Sequence, residues 1–199
     1  LEKDLELLLP YRILDLVSRD LGDQLSRQEG ISLLDSFVSK RGGLEGRNVS
    51  KSPCVLEQNE FEIFFQQIRK FLTVQEQADL FISWQKIGSV DAGFLGVLSL
   101  VAAGFSRRKP ERIREARKYL KSFHFQDLDP MPLLGCMDLL LADIERAKER
   151  FRNSSDESLK NWLDNYPGDL LAALCDYCRD WLRRDVLPGY RDVDANATD

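Results

Sequence analysis

Apolar residues recur at helical spacing along nearly the whole chain, and this restricts the fold more than any other feature. Between Glu60 and Leu72 the apolar side chains fall on one stripe of a helix, and the stretch that begins at Thr73 repeats the pattern. No run of residues alternates for long enough to indicate a β-strand. We therefore predict an all-α fold of about ten helices, packed as αα-hairpins in a tetratricopeptide-like array.

Capping signals predict several of the helix boundaries. In a capping box, a hydroxyl accepts hydrogen bonds from free N–H groups while a Glu three residues later reaches back to the cap. Glycine pairs such as Gly42-Gly43 indicate helix ends, because glycine adopts the left-handed conformation that terminates a helix. The predicted capping boxes are Ser26 with Glu29, Thr73 with Glu76, and Ser154 with Glu157.

The chain length of 199 residues suits one domain or two small ones. We expect a helical domain over residues 1–190, which could form two sub-bundles that meet near residues 106–130, and a polar tail over 191–199. Residues 42–58 lack structure signals and are predicted to form a long loop, which is uncommon within a compact domain and often functional.

One segment, Val90 to Phe105, is apolar enough to suggest a membrane span. It has 16 residues and contains Asp91, whereas a span needs about 20 apolar residues. We predict a buried helix here, and expect any membrane anchor to lie outside this sequence.

Residues suited to catalysis or metal binding are few. His124 is the only histidine, and no nucleophile motif accompanies it. Cys175 and Cys178 form a CxxC, which alone could indicate a metal or redox site, but no second pair of cysteines and no histidine lies nearby. Helical spacing places both thiols on an apolar stripe, which predicts that they pack in the core. We expect no catalytic residue, no metal and no cofactor.

The strongest charge asymmetry runs from Arg107 to Lys121, where eight basic residues face two acidic ones in a chain of net charge −5. A solvated helix face explains such a run, and a surface for an acidic peptide or anionic lipid head groups is the functional alternative. Nucleic acid is not expected, because no aromatic platform accompanies the charge. The candidate partner-binding residues are Arg107, Arg108, Arg114, Arg117, Lys118 and Lys121.

Several short stretches occur in a characteristic order along residues 7 to 193. No single stretch is specific, but their order and spacing together are informative. They are Leu9 to Leu16, Arg41 to Gly46, Phe71 to Thr73, Glu76 to Phe81, Ala102 to Phe105, Lys109-Pro110, Trp181-Leu182 and Asp185 to Asp192.

In these stretches the sequence resembles the central-to-late cytoplasmic region of the cyanobacterial ZipN cell-division family, whose chloroplast counterpart is named for accumulation and replication of chloroplasts. Plant relatives tend to carry longer insertions around residues 124 to 136, so the bacterial branch is favoured. The resemblance implies a non-enzymatic protein at the cytoplasmic face of the inner membrane, anchored by a transmembrane segment elsewhere in the protein. It implies FtsZ and other division proteins as partners.

Two roles remain open for such a region. The first is a scaffold that binds division partners and helps to tether and stabilise FtsZ filaments at the membrane. The second is a structural spacer between a J-like domain and the membrane anchor, without direct FtsZ binding. An enzyme would need a cleft with perturbed titratable groups, and no pattern in the sequence indicates one.

Overall fold

A computed structural model describes residues 2–49, 56–123, 128–196 and 198, with side chains from residue 7 onward. These residues form ten α-helices and no strand, so the predicted all-α helical array is confirmed. A π-helical turn, Leu182–Val186, follows the last helix. The helices are α1 Glu2–Ser18, α2 Gln24–Arg41, α3 Gln58–Arg69, α4 Val74–Lys86, α5 Val90–Ser106, α6 Pro110–Lys121, α7 Met131–Leu140, α8 Ile144–Arg152, α9 Glu157–Asp164 and α10 Leu170–Trp181.

The chain divides into two compact units. Unit 1 comprises Leu1–Gly96 with Gly189–Asp192, and unit 2 comprises Val97–Pro188 with Val193–Asp199. The division falls inside α5, which has 17 residues and is buried along most of its length, as predicted. No helix in the described residues is both long and apolar enough to cross a membrane.

The core of unit 1 is built from aromatic rings on α2, α3 and α4. The ring of Phe61 stacks on that of Phe65 with centroids 5.7 Å apart, and Phe65 meets Phe81 edge to face at 6.1 Å. Trp84 is fully buried, and its indole N–H donates to a carboxylate oxygen of Asp35 at 2.7 Å. The ring contacts join α3 to α4, the first pair of helices that the apolar pattern predicts, and the Trp84 hydrogen bond joins α4 to α2.

A segment remote in sequence completes unit 1. The buried side-chain amide of Gln77 donates to the carbonyl of Gly189 at 2.7 Å, and the N–H of Arg191 donates to the carbonyl of Leu72 at 3.0 Å. Residue 191, the first of the predicted polar tail, is therefore anchored on unit 1.

Unit 2 contains another helical hairpin, in which α7 packs against α8. A Cβ on Gly135 would lie only 2.4 Å from the ring of Phe151, so glycine is what allows the two helices to approach this closely. Ala147 and Phe151 of α8 are both buried. Helix α6 packs on one side of α7, and α10 contacts α7, α8 and α9.

Of the three predicted capping boxes, only that of Thr73 with Glu76 is confirmed. The hydroxyl of Thr73 accepts from the N–H of Glu76 at 3.2 Å, and the Glu76 carboxylate accepts from the N–H of Thr73 at 2.7 Å. Helices α2 and α9 begin at other residues, because an aspartate three residues before Ser26 and another two residues after Ser154 take the capping positions. These caps are Asp23, which accepts from the N–H of Ser26, and Asp156, which accepts from the N–H of Leu159.

The predicted loop 42–58 is described at 42–49 and 56–58. Gly42 ends α2 in the left-handed conformation (φ 82°), as its sequence predicts. The Arg47 side chain donates back to the Gly42 carbonyl at 2.7 Å, and the Glu45 carboxylate accepts from the Ser89 hydroxyl at 2.8 Å. Residues 42–49 are thus held in place by side-chain hydrogen bonds within unit 1.

Candidate partner-binding surface

Helix α6 presents a basic side whose position follows from its sequence. Pro110 occupies the first helical position, where its missing N–H costs nothing. Ile113, Ala116 and Leu120 form the buried stripe against unit 2. At 100° per residue this leaves basic side chains on the opposite side, and the structure shows Arg114, Lys118 and Lys121 exposed.

The six predicted partner-binding residues do not form one continuous row. Arg107 and Arg108 lie in the turn between α5 and α6, both exposed, with Arg108 in the left-handed conformation at φ 54°. Arg117 departs from the prediction that it projects with Arg114, since only 21% of its side chain is exposed. The exposed face of α6 is therefore formed by three of the four predicted cations.

Arg117 turns inward because a carboxylate lies beneath it. Asp138, in the last turn of α7, is fully buried, and its Oδ1 accepts a hydrogen bond from Nη1 of Arg117. Its Oδ2 lies 3.6 Å from Nε of Arg150 on α8. One buried carboxylate thus holds arginines from two helices, and the pairing offsets the cost of burying the charges.

Arg146 and Arg150 extend the basic surface onto α8, and sequence analysis missed both. They are four residues apart and share one face of the helix. Burial, then the positive charges of Arg150 and Arg117, lower the pKa of Lys121, with Arg146 acting in the same direction. Only Asp138 opposes this effect, so cations from α6 and α8 are close enough to repel one another. Their spacing of four residues, which places both on one side of a helix, is the sequence signal that could have revealed them.

A pocket lies at the opposite end of α6, near the start of the helix. Its volume is about 520 Å³. A Cβ on Gly104 would lie 2.5 Å from the Ile113 side chain, so this glycine allows α5 and α6 to cross closely. Residues that line the pocket include Phe105, Ser106, Arg108, Ile113 and Leu140.

The prediction that both cysteines of the CxxC pack in the core is correct for Cys178 and wrong for Cys175. Cys178 is buried, and its thiol donates weakly to the carbonyl of Cys136 at 3.8 Å, but Cys175 is exposed. The buried stripe of α10 runs instead through Ala173, Leu174, Cys178 and Trp181. Burial raises the pKa of the Cys136 thiol well above its ordinary value, which keeps that thiol protonated.

Within the described residues no three His, Cys, Asp or Glu side chains are grouped as metal ligands. His124 lies outside the described residues.

Unit 1 carries a different kind of surface, an apolar groove along α1 and α3. Its volume is about 480 Å³. Tyr11 and Ile63 are the most exposed large apolar side chains along it, at 73% and 61%. Leu7, Leu8, Leu14, Leu56 and Phe64 also line it.

Comparison with known proteins identifies two family matches that together cover most of the chain. Residues 1–54 match the plastid division regulator ARM repeat, and residues 71–199 match the plastid division regulator alpha solenoid domain. The second match includes all of α6, α7 and α8. No curated protein and no solved structure matches the chain significantly.

Proposed function

Because the chain belongs to the plastid division regulator family, we propose that it is a non-catalytic scaffold that binds division partners and helps to tether FtsZ filaments at the membrane. The family supports a role in cell division and a helical repeat fold. We assign the chain to the cyanobacterial branch, in the central-to-late cytoplasmic region of its protein. Its place would be the cytoplasmic face of the inner membrane, with the membrane anchor in another part of the protein.

The observation that carries a binding role is the exposed basic face of α6 within an acidic chain. Arg114, Lys118 and Lys121 make no ion pair within the described residues, although the chain as a whole carries a net charge of −5. Cations that satisfy no internal carboxylate contribute little to folding and remain free to attract an acidic partner. The pocket beside Arg108 would add an apolar anchor point at one end of this face.

Sedimentation of FtsZ polymers with the purified chain, at low and moderate salt, tests the proposal. We expect co-pelleting that weakens as salt rises, because screening weakens contacts between exposed charges. A variant with Arg114→Glu and Lys118→Glu should stay in the supernatant, whereas Arg152→Glu, an exposed reversal on α8, should pellet normally. Absence of the wild-type chain from the pellet at both salts would assign it the spacer role instead.

A further inference from the structure

We propose that Arg117, Lys121, Arg146 and Arg150 form a binding site for a phosphate monoester carried by a segment of a partner protein. The site lies on α6 and α8, above the buried Asp138 of α7. It rests on the proposed function in that it names the chemistry of one partner of the scaffold. The basic face of α6 attracts an acidic partner in general, whereas this site would bind a single dianionic group.

The arginines are held in position before any ligand arrives. Asp138 engages one nitrogen of Arg117 and lies near Nε of Arg150, and each guanidinium carries five N–H donors. The side chains of Arg117 and Arg150 are 21% and 24% exposed, so part of each fork is open to solvent. Nε of Arg150 is itself buried beside Oδ2 of Asp138 and has no hydrogen-bond partner in the described residues, so the outer nitrogens of the guanidinium are the donors open to a ligand. Donors that a buried carboxylate already holds lose little freedom on binding, which favours affinity for a group that fits.

The charges at the site do not balance. Four cations lie on this part of α6 and α8, and among the described residues the carboxylates paired with them are Asp138 and Asp143. Asp143 lies 3.5 Å from Arg146 in an exposed pair, which screening by solvent makes weak. Burial and the neighbouring arginines lower the pKa of Lys121, as expected where positive charge is in excess. An incoming anion would relieve this repulsion.

The excess of positive charge at the site favours a phosphate monoester over a single carboxylate as the ligand. A phosphate on Ser or Thr carries a charge of about −1.5 to −2 and three acceptor oxygens, whereas one carboxylate carries −1 and two oxygens. Planar guanidinium groups bind phosphate through paired hydrogen bonds. Two half-buried arginines suit a group that projects into the surface on a side chain. A membrane plane would instead contact the exposed side chains of Lys121 and Arg146 rather than the two arginines held by Asp138.

Titration followed by NMR tests the site directly. The probe is a phosphoserine flanked by Gly and Ala residues in a short capped peptide, compared with the same peptide carrying Ser and one carrying Glu. In the full ¹⁵N-labelled chain, we expect the Nε–H signals of Arg150 and Arg117 to shift on adding the phosphopeptide. The Ser peptide should cause no shift, and the Glu peptide should bind at least tenfold more weakly.

Two variants and a vesicle experiment complete the test. Lys121→Glu with Arg146→Glu reverses the exposed members of the site and should weaken phosphopeptide binding at least tenfold. Arg152→Glu, the same change on another face of α8, should leave it unchanged. Equal binding of the Ser and phosphoserine peptides, or no shift of the arginine signals, would overturn the site. So would preferential binding of phosphatidylglycerol vesicles that the double variant abolishes, since that would indicate a lipid surface. The assay contains no FtsZ, so its failure is distinct from failure of the tethering role.

Discussion

At the scale of single residues, the least expected feature is a carboxylate in the last turn of α7 with no exposure to solvent. Asp138 sits among apolar neighbours in the sequence (LLGCMDLLL), where helical spacing alone would not predict a charge network. Its partners come from α6 and α8, 21 residues before it and 12 residues after it. A buried charge is tolerated because both arginines reach it, and removing it would leave two cations near an apolar interior.

Asp138→Ala should therefore destabilise the protein by about 2–3 kcal/mol, less than a fully buried pair because both arginines retain some contact with water. Urea unfolding followed by circular dichroism measures the effect. Asp143→Ala is the matched control, since its pair with Arg146 is exposed and should cost below about 1 kcal/mol. Equal losses in the two variants would contradict the assigned role of Asp138.

Glu45 should make the stability of unit 1 depend on pH. Burial alone would raise its pKa, but hydrogen bonds from the Asp91 N–H and the Ser89 hydroxyl outweigh burial and hold the pKa below its ordinary value of 4.5. A carboxyl whose pKa is lower in the folded state contributes stability above the unfolded pKa, and this contribution is lost as the pH falls through the folded pKa.

We expect Glu45→Gln to lower the free energy of unfolding by no more than about 1 kcal/mol at neutral pH, since the side chain is partly exposed. The gap between variant and wild type should close as the pH falls below 4.5. Denaturant unfolding at a series of pH values measures it. Ser89→Ala removes the hydroxyl donor to Glu45 and should reduce the part of the unfolding free energy that depends on the ionisation of Glu45. A gap that widens toward acid would show that the carboxylate is not stabilising in the folded state.

At the scale of helices, sequence signals gave the elements correctly and their first residues less well. Pro110 and Gly42 mark the start of α6 and the end of α2, because both act through the local backbone. Ser26 misled because Asp23, three residues earlier, already caps the helix, which places Ser26 inside the first turn of α2. The prediction failed at Cys175 because helical spacing defines the apolar stripe of α10, but the helices packed against α10 decide which edge of that stripe is buried.

Two hydroxyl deletions distinguish a true cap from an apparent one. Thr73→Ala should cost about 1 kcal/mol, because it leaves the N–H of Glu76 without its acceptor at the start of α4. Ser26→Ala should cost below about 0.5 kcal/mol, because Asp23 still caps α2 and alanine is a good helix former. Thermal unfolding of both variants measures the difference, and a larger loss at Ser26 would contradict the capping scheme.

At the scale of the whole molecule, local patterns reveal a helical array but not its long-range closures. The return of Gly189 to the amide of Gln77 spans 112 residues, and no periodicity reports it. The candidate surface was likewise predicted only in part. The charge run identified α6, but the turning of Arg117 toward Asp138, and the approach of Arg146 and Arg150, depend on how three helices pack.

The central claim is that α6 is a surface for a division partner, and lysine footprinting tests it most directly. The chain is acetylated with a water-soluble active ester, alone and in the presence of FtsZ polymers, and each lysine is quantified by mass spectrometry. The account predicts that Lys118 and Lys121 become several-fold less reactive with polymer, while Lys86 and Lys160 react as before. Unchanged reactivity at Lys118 and Lys121 in chain that has pelleted with the polymer would contradict it.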